Sequence, residues 1–214
     1  MVKDSNQHLE TLSEIRSLME RSSRFISLSG LSGVIAGTLA LLGAAAVYVY
    51  LEMNPFQYKL VYYEKAIGAE KWGMNYLEFF VLDAGLVLAG ALFAGIFLTT
   101  RKARNKGQKV WNALTRRLLI NLAIPLLTGG IFILALLKYG LFGLVAPSTL
   151  VFYGLALLNG SKYTLNDIRY LGVTEIALGL TGLFIPGYGL ELWTIGFGLL
   201  HIIYGARMYY KYER

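Results

Sequence analysis

Three ionisable residues lie inside long apolar stretches of the chain: Asp83, Glu175 and His201. A charge held in hydrocarbon is costly, so each is a functional candidate by default. Glu175 comes six residues after Arg169, and His201 comes six before Arg207. At about 1.5 Å per helical residue, both fall about 9 Å inside the same ends of neighbouring antiparallel spans. A Glu175–His201 hydrogen bond or ion pair is therefore easy to form, with Asn121 and Ser29 within about a turn of the same level. Such a layer would serve as a proton relay, or as a site for a polar substrate group, through an imidazole that titrates near neutral pH. The plainer reading takes precedence: a satisfied polar pair that fixes helix register, worth about 1 kcal/mol. Asp83 sits nearer the opposite surface with no cation at its depth, which leaves three options: a protonated carboxyl, a bond to a hydroxyl such as Tyr50 or Thr194, or a water-filled outer cavity.

The constellations that enzymes need are missing. There is no HExxH, no GxSxG and no phosphate-cradling glycine loop with a lysine. His8 and His201 are the two histidines and cysteine is absent, which excludes thiol nucleophiles, disulfides and a histidine-rich metal site. A carboxylate metal site would have to join Asp83 to Glu175 across the membrane. No catalytic residue, metal or cofactor is expected. An intramembrane hydrolase or lipid transferase is the one enzymatic class left.

The elements that must position these residues are membrane spans. The 214 residues are 56% hydrophobic and 15% charged, where a soluble domain carries about a quarter charged. Mean hydropathy is +0.52. Apolar runs of the length needed to cross a core of about 30 Å recur six times, at about 25–50, 76–100, 118–137, 141–158, 170–185 and 190–206. The fold class expected is an all-α six-helix transmembrane bundle. Residues 1–24 precede it as an amphipathic helix on the cytoplasmic surface, and 207–214 form a basic tail.

Orientation follows from the stretch between spans two and three. Arg101, Lys102, Arg104, Lys106, Lys109, Arg116 and Arg117 occur there without an acidic residue, and such loops resist translocation. With that loop inside, sixteen of the 20 Lys and Arg fall on the cytoplasmic side; only Lys59, Lys65, Lys71 and Lys138 fall outside. Both termini are then cytoplasmic. The net charge of +7 answers to anionic lipid headgroups rather than nucleic acid.

Within the spans, Gly33/Gly37, Gly90/Ala94 and Ala91/Gly95 are small-residue pairs that let helix backbones approach closely. Pro125, followed by Gly129-Gly130, and Pro147 predict interrupted helices. The outer loop 51–75 carries Tyr58, Tyr62, Tyr63 and Trp72, rings suited to the headgroup level.

Spans four and six both open with Tyr-Gly-Leu (Tyr139, Tyr188) and later show Tyr-Gly (Tyr153-Gly154, Tyr204-Gly205), so duplication into three antiparallel hairpins is plausible. The last hairpin, YLGVTEIALGLTGLFIPGYGLELWTIGFGLLHIIYG, resembles hairpins of the HdeD-type bacterial membrane proteins in its glycine spacing, its Phe-Ile-Pro-Gly turn and its closing Tyr-Gly. The resemblance covers spans five and six, more weakly three and four, and misses the long outer loop and the basic centre. It implies a six-span inner-membrane bundle associated with acid resistance, with no catalytic residues to carry over.

The function expected is that of a non-catalytic inner-membrane protein: a structural, stress-response or partner-binding component. The alternative is a small transporter or proton-linked channel using Glu175, His201 and Asp83. Expected partners are membrane lipids at the basic face, with a second copy of the chain or another protein as the macromolecular ones.

Overall fold

A computed structural model describes residues 28–56, 70–107 and 110–214. The amphipathic segment 1–24, most of the outer loop and Lys109 lie outside the described residues. The rest is helical, with one short two-stranded ribbon, as the apolar runs predict. The helices are α1 (Gly30–Leu51), α2 (Tyr76–Asn105), α3 (Ala113–Lys138), α4 (Val145–Gly160), α5 (Asn166–Phe184), α6 (Gly189–Trp193) and α7 (His201–Tyr212). Between α6 and α7 the chain is π-helical over Thr194–Leu200, so 189–212 forms one continuous rod.

Among the described residues, five helical segments are long and apolar enough to cross a membrane: Gly30–Leu51, Tyr76–Asn105, Ala113–Lys138, Phe142–Tyr163 and Gly189–Tyr212. Helix α5 has 19 residues but carries Asp167, Arg169 and Glu175. The apolar helices suit a protein embedded in a membrane.

Local chemistry accounts for the boundaries. The hairpin Glu70–Lys71/Met74–Asn75 turns through Trp72 and Gly73, at φ +57° and +74°, the left-handed pair that a two-residue turn requires. Asn75 then caps α2: its Oδ1 accepts from the Glu78 N–H at 3.0 Å, and the Glu78 carboxylate accepts from the Asn75 N–H at 3.0 Å. Asn112 caps α3 by accepting from the Thr115 N–H at 2.8 Å. Helix α2 runs on through Arg101–Asn105, so the basic connection is shorter than the sequence suggested, and Arg116 and Arg117 already belong to α3.

Neither proline interrupts its helix. Pro147 occupies the first turn of α4, where its missing N–H has no intrahelical acceptor to lose. Pro125 lies inside α3 and leaves the carbonyl four residues back, that of Asn121, without its usual donor. Asn159 of α4 supplies the replacement, its side-chain amide donating to the Asn121 carbonyl at 3.0 Å.

Helix α1 lies between α2 and the C-terminal rod, and α4 lies between α3 and α5. Both central contacts are glycine seams. A Cβ on Gly205 would lie 2.7 Å from the Gly30 carbonyl oxygen, and one on Gly37 would lie 2.6 Å from that of Gly198. A Cβ on Gly154 would lie 2.6 Å from the Gly172 carbonyl oxygen. The glycines of both Tyr-Gly pairs thus stand where two backbones touch. At the end opposite the basic segment, Tyr50 stacks on Phe79 at 4.1 Å and donates its hydroxyl to the Met74 carbonyl at 2.8 Å, tying the ribbon to α1.

The rod's C-terminal turn holds the basic end together. The N-terminus of α1 has no side-chain cap of its own. Glu213 fills that role, accepting from the Gly30 N–H and, at 3.4 Å, from the Ser29 hydroxyl, while Lys102 of α2 pairs with it at 3.2 Å. Asp167, buried in the first turn of α5, accepts from Tyr212 at 2.7 Å and from Lys211 at 3.0 Å. Burial alone would raise the Asp167 carboxyl, but these hydrogen bonds and the charges of Lys211 and Arg207 outweigh it and hold it below the usual carboxylate range.

Candidate functional site

Three elements converge on one buried polar group. Helix α5 contributes Glu175, α4 contributes Tyr153, and the rod contributes His201 where the π-helical stretch ends. Nδ1 of His201 lies 3.0 Å from the Gly196 carbonyl oxygen, and Nε2 lies 2.8 Å from the Tyr153 hydroxyl. A carbonyl only accepts, so Nδ1 carries a hydrogen. Nε2 then accepts from Tyr153 when the ring is neutral, or donates to it when the ring is protonated.

That commitment leaves Glu175 badly served. Its Oε1 is 3.4 Å from Nδ1, too long for a good charge-assisted bond to a donor already spent on Gly196. Glu175 is 0% exposed, and among the described residues neither carboxyl oxygen has a hydrogen-bond partner. The space for it exists because residue 196 is glycine: a Cβ there would run into Oε2 and into Leu150. The π-helical turn, the glycine and the carboxyl group therefore form one local arrangement.

An aromatic stack extends the site along the rod. Trp193 and Phe197 have ring centroids 5.1 Å apart, and Phe197 lies 5.7 Å from His201. Tyr153 packs on both Phe197, at 4.9 Å, and His201, at 5.3 Å.

The structure brings Glu175 and His201 together and leaves the other two candidates elsewhere. Asn121 donates its side-chain amide to the Arg117 carbonyl of its own helix at 2.8 Å, at the α3–α4 contact. Asp83 lies against Gly43 of α1. The hydroxyls proposed for it are spent on backbone carbonyls, Tyr50 on Met74 and Thr194 on Leu190 at 2.7 Å. Ser29 bonds Glu213 rather than joining a polar layer. Of the basic residues, Arg101, Arg104, Lys106, Arg116 and Arg117 are exposed, whereas Lys102 is drawn into the contact with Glu213.

Two buried polar side chains, one in this site and one outside it, were not singled out in advance. Tyr153 gave no signal as an ionisable group; its spacing on α4 relative to His201 was the available cue. Glu191, 3% exposed in the first turn of α6, accepts from the Phe56 N–H at 3.3 Å. An acid opening an apolar run was its signature. Among the described residues no group of three or more His, Asp or Glu has metal-ligand geometry. No known family, no curated protein and no solved structure matches the chain.

Proposed function

We propose that the chain is a proton-responsive, non-catalytic integral membrane protein. Glu175, with His201 and Tyr153, would hold and release a proton. The observation that carries this reading is the state of Glu175: fully buried, without a hydrogen bond among the described residues, and facing an imidazole at 3.4 Å. An isolated buried carboxylate costs several kcal/mol, and such groups escape the cost by taking up a proton. A pair kept only for helix register would be better satisfied than this one. Change in the Glu175 charge would act on Gly196 and the π-helical turn, a weaker stretch than regular helix. The enclosure of Glu175 speaks for sensing or coupling over conduction, which needs an open polar path. A stress-linked role, as the HdeD-type resemblance implies, suits a site whose charge follows pH.

In this reading α5 is span five and brings the total to six. Its 19 residues extend about 28 Å, Glu175 faces protein rather than lipid, and Asp167 and Arg169 stand at its end. The basic end faces the cytoplasm of a cell with a plasma or inner membrane, both termini inside, by the distribution of Lys and Arg. A structural or partner-binding role is the second reading, favoured by the two good hydrogen bonds that His201 already makes.

Infrared difference spectra of the protein in lipid, taken as pH is stepped, separate the two. A carboxyl C=O band that comes and goes in the wild type and is absent in Glu175→Gln is the expected result. The same difference spectrum in Glu175→Gln would remove the proton from Glu175 and leave the structural reading.

A further inference from the structure

A trough of about 480 Å³ runs along the α3–α4 contact, away from the Glu175 site. Its walls are Pro125 and Thr128 of α3 with Phe152, Leu155 and Leu158 of α4; the Thr128 hydroxyl is turned onto the Ile124 carbonyl at 2.8 Å, and Asn159 and Lys162 close one end. Leu155 is 39% exposed, so the trough opens outward along its length. From Phe152 to Lys162 is ten residues of mostly helical chain, about 15 Å, or half the thickness of a hydrocarbon core. The polar end lies at the basic end of the bundle, where Gly160 packs on Leu118 and Leu122 of α3, one turn beyond Arg116 and Arg117.

Lys162 is exposed, its amine rests 3.3 Å from the Asn159 Oδ1, and among the described residues it forms no ion pair with a carboxylate. Asn159 is immobilised by its bond to the Asn121 carbonyl, the one that Pro125 leaves without a donor. A fixed polar pair with a spare positive charge therefore caps an apolar channel one leaflet deep. We propose that this trough binds an anionic phospholipid, with its phosphate on Lys162 and one acyl chain along Leu158, Leu155 and Phe152. The site rests on the reading that the helices span a membrane, and it supplies a defined place for the lipid contact expected of the basic face.

The test is native mass spectrometry of the full chain released from vesicles that contain phosphatidylglycerol and phosphatidylcholine with the same acyl chains. The wild type should retain phosphatidylglycerol selectively. Lys162→Gln should lower that retention about fivefold, the value of one surface cation near anionic lipid. Leu155→Trp, which fills the trough from its exposed side, should remove the bound lipid whatever its headgroup. Equal retention of the two lipids, unchanged retention in Lys162→Gln, or a lipid-free dimer with the trough covered would overturn the site. A chain extracted from vesicles by alkaline carbonate would overturn the membrane reading itself, a failure distinct from any lipid result.

Discussion

Glu175 and Gly196 depend on each other. The carboxyl group occupies the volume that a side chain at 196 would need, with Leu150 against the same spot. Gly196→Ala should therefore destabilise the protein by about 1–3 kcal/mol, the usual cost of overpacking a tight interior. The loss should be partly recovered in the double variant with Glu175→Ala, since removing the carboxyl clears one of the two clashes. Thermal unfolding in detergent measures both; a Gly196→Ala penalty that Glu175→Ala leaves untouched would show that Leu150 alone sets the limit. The Glu175–His201 pairing was readable from equal offsets to Arg169 and Arg207, because helices convert residue counts into depth. Its poor hydrogen bonding was not. That depends on Nδ1 turning to the Gly196 carbonyl, a consequence of the π-helical turn that no residue pattern announced. The fates of Asp83 and Asn121 were hidden for a related reason: depth alone does not say which face of a helix a residue takes.

At the scale of elements, the bundle is closed at its basic end by the last turns of the rod. Asp167 draws Tyr212 and Lys211 onto the start of α5, and Glu213 caps α1 while pairing with Lys102. The Asp167 carboxyl is held below its ordinary value, so its contribution is fully present above the unfolded value of about 3.9 and is lost as pH falls through the lower folded value. Acidification from about pH 5 to pH 2 should thus loosen the tail in the wild type. Asp167→Asn should start less stable and show a shallower acid dependence over the same range. Thermal midpoints across that range check it, and equal slopes for the two proteins would dissociate the clamp from the Asp167 charge. Helix starts were legible where capping residues sit beside apolar runs, as at Asn75 and Glu78. The prolines misled because their effect depends on position: Pro147 begins a helix, and Pro125 is accommodated by Asn159 across the contact.

Across the whole molecule, two glycine-seamed pairs, α1 with the rod and α4 with α5, enclose the Glu175 site between them. The apolar runs and their lengths made the helical membrane class readable from composition alone. How the spans are arranged around the site was not, because faces rich in Leu, Ile and Phe suit lipid and protein equally well. Exposed apolar side chains crowd α2 and α3, the outermost helices, among them Phe93, Phe97, Ile124 and Ile131. These outward apolar faces suit a membrane surround, and Glu175, with no exposed surface, sits at the junction of the two pairs. If proton uptake at Glu175 changes how the rod packs against α4 and α5, the effect must appear along those segments together.

Hydrogen exchange of the full chain in lipid nanodiscs, read by mass spectrometry at acid and neutral pH and corrected for the intrinsic rate, tests that claim most directly. The account predicts a pH-dependent change in protection over residues 166–184 and 189–204 in the wild type, and its loss in Glu175→Gln. An identical pH response in Glu175→Gln, or no response in these segments of the wild type, would contradict it.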